Sequence, residues 1–384
     1  MSEALRLHRK LKGKISTESK TKIKNNKILA LAYTPGVADA CLAIKKDKEE
    51  ARSLTINGNT VAVLSDGSAV LGLGNIGPEA ALPVMEGKAI LFKEFADVNA
   101  FPICINTQYP KEIIKLARNI APTFAGINLE DIKAPGCFEI EDALQDLGIP
   151  VFHDDQHGTA IVVIAALMNA VKATNKTWED LTVAINGAGA AGTAIAKMLL
   201  CLDAGHYCKS VKEVLICDSK GIINKKRNDL EKHKYLLARM SNRQNLRGDL
   251  KTAMKNADVF IGVSRGNIVT KAMVKSMAKD PIVFAMANPI PEIMPDKAKE
   301  GGAIIVATGR SDFPNQVNNV LAFPGVFKGA LEARAERITP KMKVAAAHAL
   351  ADMVKKPTTE NILPKPFNKN VAKNIAKAVK DAST

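Results

Sequence analysis

The sequence predicts an α/β protein with two parallel sheets, and three observations support this prediction. Short apolar runs of strand length alternate with helical segments from residue 59 onward, a pattern typical of parallel β-α units. A glycine-rich segment, INGAGAAG, follows one of these runs near the middle of the chain. The chain has 384 residues, which is longer than a single hydrophobic core usually supports. Two domains are therefore expected.

The first domain is expected to span residues 1–157. Residues 1–57 have mostly helical spacing, interrupted by turn residues at YTPG (33–36). Strands and helices then alternate, and the predicted strands are NTVAVLSDG (59–67), FPICINT (101–107), FAGINLED (124–131) and IPVFHDD (149–155).

The second domain is expected to span residues 158–310. A long apolar helix at 157–174 leads into it. Its predicted strands are LTVAI (181–185), EVLICDS (213–219), ADVFIGVS (257–264), PIVFAMANP (281–289) and AIIVATG (303–309). Residues 311–384 are predicted to be mostly helical and to pack back against the first domain.

The glycine-rich segment predicts a Rossmann-type dinucleotide site. Gly187, Gly189 and Gly192 have the G-x-G-x-x-G spacing between an apolar strand and an Ala-rich helix. The first glycine permits a tight turn, the second lets the backbone approach the pyrophosphate, and the third lets the helix pack on the strand. The phosphates would then lie at the helix N-terminus, beside Ala190 and Ala191.

The acid that follows this segment bears on the choice of cofactor. Asp218 ends the next strand, although it lies farther along than the ~20 residues usual for the ribose-binding acid. A carboxylate accepts hydrogen bonds from a free 2′-hydroxyl and repels a 2′-phosphate, which favours NAD. Ser219 and Lys220 are suited to contact a phosphate, so NADP remains an alternative.

Acidic residues follow two of the first-domain strands. Glu130 and Asp131 lie in NLEDIK, and Asp154 and Asp155 lie in VFHDDQH. Because ligands collect at the carboxyl ends of parallel strands, these groups are expected to converge. Carboxylate oxygens suit Mg²⁺ or Mn²⁺ better than zinc. The alternative is that single acids cap helices or pair with surface lysines.

The polar side chains of the HDDQH segment are expected to have different roles. Side chains alternate faces along a strand, so Asp154 and Asp155 do not both reach one ion without a bend. His153 shares the face of Asp155 but lies deeper, and His157 is expected to begin the helix with Gly158. The histidines are therefore not expected to be metal ligands.

Eight motifs, in the family's order, resemble malic enzymes, specifically the short form found in microbes. They are AYTPGVA (32–38), SDGSAVLGLGNIGPEAALPVMEGKAILFK (65–93), NLEDI (128–132), FHDDQHGTA (152–160), NGAGAAG (186–192), ADVFIGVS (257–264), ANPIPEI (287–293) and ATGRSDFPNQVNNVLAFPGVF (307–327). The resemblance implies metal-dependent oxidative decarboxylation of L-malate to pyruvate and CO₂ with reduction of NAD or NADP, and decarboxylation of oxaloacetate.

The resemblance also implies residue roles. Tyr33 would be the general acid, Lys88 the general base and Asp154 its neighbour. The implied metal ligands are Glu130, Asp131 and Asp155. Further implied contacts to cofactor, nicotinamide or substrate come from Ser264, Asn288, Asn318 and Asn319. Lys88 has to be neutral near pH 7, below its ordinary ~10.4; burial and the cation are expected to lower its pKa, with Asp154 opposing them.

One segment departs from the family pattern. Longer malic enzymes carry a carboxylate-binding arginine before LGLG, where this chain has Ser68 and Ala69. Arg310 in TGRSD is a candidate substitute. An unchanged KM for malate in Arg310→Ala would refute that assignment.

Two other functions are alternatives to this one. One is a metal-independent Rossmann dehydrogenase of another 2-hydroxy acid. The other is a basic NAD-sensing protein that binds nucleic acid, suggested by the net charge of +15. The lysines and arginines are scattered and aromatic residues make up only 4%, so the positive field is expected to attract anionic substrates rather than nucleic acid.

The remaining expectations concern location and assembly. The N-terminus lacks a signal-peptide pattern, no segment is expected to span a membrane, and a cytoplasmic enzyme is predicted. The six cysteines form no CxxC pair and lie mostly in apolar stretches, which predicts free buried thiols. The family resemblance suggests a homodimer in which one chain donates Tyr33 to its neighbour's site.

Overall fold

The computed structural model describes residues 2–202 and 205–384. Every strand predicted from the sequence has a counterpart in the described residues, and the two-residue β7 is additional. The strands are β1 Thr60–Ser65, β2 Asn99–Cys104, β3 Gly126–Leu129, β4 Val151–His153, β5 Thr182–Asn186, β6 Glu213–Asp218, β7 Gly221–Ile222, β8 Val259–Gly262, β9 Ile282–Ala285 and β10 Ile305–Thr308.

Helices surround both groups of strands. In the first part of the chain they are α1 Glu3–Leu11, α2 Asn26–Ala32, α3 Val37–Lys46, α4 Ala51–Leu54, α5 Pro78–Ala96, α6 Pro110–Ile120, α7 Gly136–Ala143 and α8 Asp154–Thr174. Later in the chain they are α9 Ala190–Leu199, α10 Lys232–Met240, α11 Leu250–Met254, α12 Lys271–Lys275, α13 Pro295–Glu300, α14 Phe323–Glu332, α15 Pro340–Ala351 and α16 Asn370–Asp381.

The strands form two sheets, which confirms the predicted α/β class. The first sheet has the order β2-β1-β3-β4 and is parallel throughout. The second has the order β10-β9-β8-β5-β6-β7 and is parallel except for β7. Strands buried on both faces have continuous apolar sequences, which is why the runs VAVL and VFIG are recognisable in the sequence.

Helix α8 connects the two sheets. It begins at Asp154, with His153 as its N-cap, so the prediction that His157 and Gly158 begin it is wrong by three residues. The His153 ring accepts a hydrogen bond from the Gln156 N–H, 3.3 Å away. This cap starts the helix directly after β4, so both aspartates lie in its first turn.

The C-terminal helices pack back on the first domain, as predicted. The rings of Phe323 and Phe327 on α14 contact the Phe92 ring of α5 edge-on, with centroids 4.8 and 5.3 Å apart. Phe327 also contacts Phe152 of β4. One hydrophobic core therefore contains residues of both sheets, of α8 and of the C-terminal helices.

Helices α2 and α3 form an exposed N-terminal arm, defined here as residues 26–46, in which no helical residue is buried. Among the residues that the structure describes, two segments are long and apolar enough to cross a membrane by length and composition alone, this arm and α8. Two thirds of the apolar window of α8 is buried, as in the core helix of a soluble protein. A cytoplasmic location stays a prediction.

The prediction of free, buried thiols is wrong at Cys201 and Cys208, which are bonded, and at Cys41, which is exposed. Cys201 and Cys208 form a disulfide, with their Cα atoms 5.9 Å apart, a spacing within the range that permits the bond. Cys41, Cys104, Cys137 and Cys217 are free, and of these Cys41 is exposed.

Candidate active site

Lys88 lies at the centre of the first-domain site, on α5, with its side chain almost fully buried. Its Nζ donates a hydrogen bond to Asp154 Oδ2 at 2.6 Å and lies 2.9 Å from Glu130 Oε1. The ammonium also lies 4.2 Å from the centre of the Phe323 ring, a favourable cation–π contact. Helix α5 continues through MEGK without a break, although Gly87 precedes Lys88.

The carboxylates beside Lys88 decide its ionisation. Burial by itself lowers the pKa of Lys88, because it removes the ammonium from water. The negative charges of Asp154 and Glu130 outweigh burial and hold the pKa of Lys88 above its ordinary value. The expectation of a lowered pKa is therefore wrong for the chain by itself.

Three carboxylates converge beside Lys88. Glu130 and Asp131 follow β3, Asp155 follows β4, and these strands are neighbours in the sheet. Their ligand atoms lie within 4.8 Å of one another. Asp131 has a left-handed φ of 55°, uncommon for a non-glycine residue, and its N–H donates to Asp155 Oδ2 at 2.9 Å.

This cluster suits a divalent cation. Burial raises the pKa of both Glu130 and Asp155, since ionised carboxylates lose hydration there. A cation among the three would offset that cost and favour their ionised forms. An all-oxygen donor set fits Mg²⁺ or Mn²⁺.

Asp154 and Asp155 have different partners, although not for the reason the sequence suggested. They lie in the first turn of a helix rather than on a strand, so their side chains point about 100° apart around its axis. Asp154 turns toward Lys88, and Asp155 toward the N–H of Asp131.

Asn319 completes the surroundings of Asp154. Its Nδ2 donates to Asp154 Oδ2 at 2.6 Å. The Asn318 side chain instead accepts a hydrogen bond from the N–H of Val320 and caps the short 3₁₀ turn there. Of the two asparagines in VNNV, it is therefore Asn319 that hydrogen-bonds to Asp154.

Glu141, which the sequence analysis missed, holds the β4–α8 turn in place. The buried carboxylate accepts hydrogen bonds from the His153 N–H and from Gln156 Nε2, and it lies 2.9 Å from His157 Nε2. Burial would raise the pKa of Glu141, but its contacts with His157 lower it to about 2. Its position on the apolar face of FEIEDALQDL, next to Ile140, was the available signal.

Glu141→Ala is expected to lower the free energy of unfolding by about 3–5 kcal/mol, because it removes one partner of a buried hydrogen-bonded pair. Urea denaturation would measure the loss. Glu139→Ala, an exposed position on the same helix, is the matched control and should change stability by less than about 0.5 kcal/mol. Equal losses in the two variants would remove Glu141 from this structural role.

Ser68 occupies the segment where the family arginine is missing. Its hydroxyl donates to Asp66 Oδ1 at 2.6 Å and accepts from the N–H of Lys133 at 2.9 Å. The Ala69 N–H donates to the carbonyl oxygen of Asp131. Ser68 and Ala69 therefore fix the loop that carries Glu130 and Asp131.

The glycine-rich loop has the geometry that dinucleotide binding requires. Gly187 has φ of 119°, and a Cβ there would lie 2.6 Å from the Val263 carbonyl oxygen. A Cβ on Gly192 would lie 1.8 Å from the Gly187 carbonyl oxygen, whereas one on Gly189 would meet nothing within 4 Å. Helix α9 begins at Ala190. The open face at Gly189 therefore adjoins a helix N-terminus suited to phosphate.

A second buried carboxylate that the sequence analysis missed joins the loops after β8 and β9. Glu292 accepts hydrogen bonds from the N–H groups of Ser264 and Ala287, each at 3.0 Å. The Ser264 hydroxyl accepts one from Asn186 Nδ2 at 2.6 Å. Ser264 is thus held at the end of β5, close to the glycine-rich loop.

Asp218 lies among cations at the end of β6. Arg227 binds both of its oxygens, at 2.8 and 3.1 Å, and Lys234 Nζ lies 3.6 Å away. Burial opposes ionisation, but hydrogen bonds from Arg227 and the Lys220 N–H outweigh it and hold the pKa of Asp218 below its usual value. The Arg227 contact was not predicted, since Asp218 ends β6 whereas Arg227 lies in the irregular loop after β7.

Comparison with known protein families assigns both halves of the chain. Residues 12–145 match the family described as "Malic enzyme, N-terminal domain", and residues 156–384 match "Malic enzyme, NAD binding domain". The chain belongs to the malic enzyme family. The resemblance noted in the sequence is thereby confirmed.

Individual malic enzymes are similar over almost the whole chain. A "Bifunctional malic/malolactic enzyme" of Bacillus subtilis is 54% identical over 99% of this chain and 92% of its own length. An "NAD-dependent malic enzyme" of Geobacillus stearothermophilus is 53% identical, over 97% and 77% respectively. The crystal structure of the NAD-dependent malic enzyme of Thermotoga maritima has a TM-score of 0.94 at 51% identity, covering 99% of each chain.

Membership of the malic enzyme family establishes the reaction class. The chain is an NAD(P)-dependent oxidoreductase that oxidatively decarboxylates malate, and the alternative of another 2-hydroxy-acid dehydrogenase is not favoured. Its relatives include NAD-dependent and NADP-dependent malic enzymes, so the family alone does not decide the cofactor.

Three residues expected in the malic enzyme site form no hydrogen bond or ion pair with Lys88 in the described part of the chain. Tyr33 is the C-cap of α2 and is 66% exposed. Asn288 precedes a cis proline in the loop after β9. Arg310 forms a two-pronged ion pair with Asp312 and donates to the carbonyl oxygen of Pro289. Arg310 thus reaches the Asn288 loop, and its role as carboxylate anchor stays a prediction.

Proposed function

We propose that Lys88 is the base and Tyr33 the acid in the oxidative decarboxylation of L-malate, with a divalent cation held by Glu130, Asp131 and Asp155. The observation that carries the proposal is the position of Lys88 Nζ, buried between Asp154 and Glu130 beside the carboxylate cluster. The bound cation would supply Lewis acidity, which stabilises negative charge developing on the substrate oxygen.

Lys88 and Tyr33 each carry out one proton transfer. Lys88 accepts the proton of the C2 hydroxyl as hydride leaves C2 for the nicotinamide. A cation held by Glu130 would offset the negative charge that raises the pKa of Lys88, and so would make its neutral form available. Asp154, fixed by Asn319, keeps Lys88 Nζ in place. Loss of CO₂ then leaves an enolate of pyruvate, and Tyr33 delivers a proton to its C3. Oxaloacetate enters this sequence after the hydride step, so its decarboxylation belongs to the same proposal.

The proposal is tested by following the absorbance of the reduced nicotinamide with malate, NAD or NADP, and either Mn²⁺ or EDTA. Cofactor reduction with Mn²⁺, its loss in EDTA and equimolar release of CO₂ are expected. Activity that persists in EDTA would refute the metal role, and no reduction with either cofactor would refute the reaction.

For the cofactor we propose NAD, with Asp218 accepting hydrogen bonds from the ribose hydroxyls. A carboxylate at this position repels a 2′-phosphate, because two like charges at close range cost several kcal/mol. Arg227 and Lys234 hold Asp218 ionised, which strengthens that discrimination.

Asp218→Ser is expected to shift the ratio of kcat/KM for NADP over NAD upward by about tenfold or more, because Arg227 and Lys234 become available to a phosphate. Steady-state kinetics with both cofactors would measure the ratio. Asp229→Ser is the control, since Asp229 also pairs with Arg227 but is not at the end of β6. A ratio that rises equally in both variants would contradict the role of Asp218.

We also propose that the chain acts as a homodimer in which Tyr33 completes the neighbouring site. The N-terminal arm exposes apolar side chains that a monomer leaves in water, among them Leu31 at 68% and Leu42 at 63% exposure. Among the described residues, no hydrogen bond or ion pair joins Tyr33 to the Lys88 site. A partner chain would bury the arm and supply the missing acid.

A further inference from the structure

A basic groove lies between three helices, at the C-terminal ends of α5 and α14 and along α16. Its volume is about 600 Å³, within the range of small-molecule sites. We call it the lysine groove, after its lysines Lys93, Lys328, Lys369, Lys373, Lys377 and Lys380. None of the residues assigned above to malate, metal or cofactor lines it.

The lysines of α16 share one face of that helix. Lys369, Lys373, Lys377 and Lys380 follow a three- and four-residue spacing, which places them in one row. Val371, Ile375 and Val379 are buried on the other side. Packing of the opposite, apolar face of α16 therefore keeps the row of lysines on the side of the groove.

Four carboxylates also line the groove, those of Glu94, Asp97, Glu332 and Asp381, so its six lysines exceed them by two. Lys93 pairs with Asp97, and Lys328 and Lys380 both lie near Glu332, at 3.8 and 3.9 Å. Across the described ranges 2–202 and 205–384, no carboxylate lies within 4.0 Å of the Lys369, Lys373 or Lys377 ammonium. Closely spaced ammonium groups that form no ion pair attract an anion that carries several negative charges.

An aromatic side chain lies beside this charge. Phe367 precedes α16 and is 85% exposed. Its ring centre is 6.4 Å from that of Phe95, which lines the groove. An exposed ring next to lysines is the arrangement with which proteins stack a base and hold the attached phosphates.

We propose that the lysine groove binds a nucleoside polyphosphate. The phosphates contact Lys369, Lys373 and Lys377, and the base stacks on Phe367. The site is separate from the dinucleotide cleft, which is built from the loops after β5, β6 and β8, and it is independent of the residue roles proposed for malate oxidation.

The binding is tested by calorimetry on the full chain with ATP as the probe, in saturating NAD so that the dinucleotide cleft is filled. The double variant Lys373→Glu/Lys377→Glu is expected to weaken ATP binding at least tenfold. Lys355→Glu/Lys356→Glu is the matched control: it makes the same change in net charge at exposed positions outside the groove. Malate oxidation should be unchanged in both.

Two further titrations distinguish the phosphates from the base. Phe367→Ala is expected to weaken ATP and to leave inorganic tripolyphosphate unaffected, since only ATP has a base to stack. No ATP binding by the unaltered chain, or equal weakening in the two lysine variants, would overturn the site. Unchanged ATP binding in Phe367→Ala would overturn the assignment to a nucleoside.

Discussion

Gly158→Ala is expected to lower kcat for malate oxidation by about a hundredfold or more, since misplacing a reacting group by about 1 Å can cost that much. A Cβ at position 158 would lie 1.7 Å from Asp154 Oδ1 and 3.4 Å from Asn319 Cβ. Asp154 would have to swing away, and Lys88 would lose the carboxylate that positions it. Steady-state kinetics with malate and NAD would measure the effect.

Gly87→Ala is the matched control for this substitution. Gly87 precedes Lys88 in the interior of α5, and a Cβ there would make only an ordinary contact, 3.7 Å from Lys14 Nζ. Activity should be retained, and stability should rise by up to about 1 kcal/mol from helix propensity. Near-normal kcat in Gly158→Ala would show that the Asp154 position is not critical.

Mixing two inactive variants is expected to restore activity. Tyr33→Phe and Lys88→Ala should each be inactive alone, because each removes a proton-transfer group. If Tyr33 serves the partner's site, a mixed dimer contains one site with both native groups. Random re-association of equal amounts should then recover about a quarter of the native activity, as two-fold symmetry requires.

The control for this experiment mixes two variants whose altered residues belong to the same site of one chain. Lys88→Ala combined with Asp155→Ala should recover nothing, because Lys88 and Asp155 lie in one chain beside one another. If the Tyr33 and Lys88 variants also failed to complement after verified exchange of subunits, Tyr33 would have to act within its own chain.

Much of the site was predictable because it depends on regular structure. Glu130 and Asp155 follow strands that sequence periodicity identifies, and neighbouring parallel strands bring their carboxyl ends together. The glycine spacing likewise predicted the turn at Gly187. These features need only local patterns and the general geometry of parallel sheets.

Other parts depend on contacts between distant segments. Glycine favours turns, yet Gly87 and Lys88 lie in the middle of α5, where packing against the C-terminal helices keeps the segment helical. The start of α8 at Asp154 depends on capping by His153, and the ionisation of Asp218 depends on Arg227. Tertiary packing decides these helix boundaries and ionisation states, and local patterns in a single sequence do not reveal them.

The hydrophobic core shared by the two domains prevents their separation into independent units. Val61 of the first sheet, Val183 of the second, Ile161 of α8 and Ile375 of α16 all belong to one cluster. A cut or gene fusion at residue 158 would leave apolar side chains of both fragments in water, where such surfaces promote aggregation. Neither of the two domains is therefore expected to fold by itself when the chain is divided there.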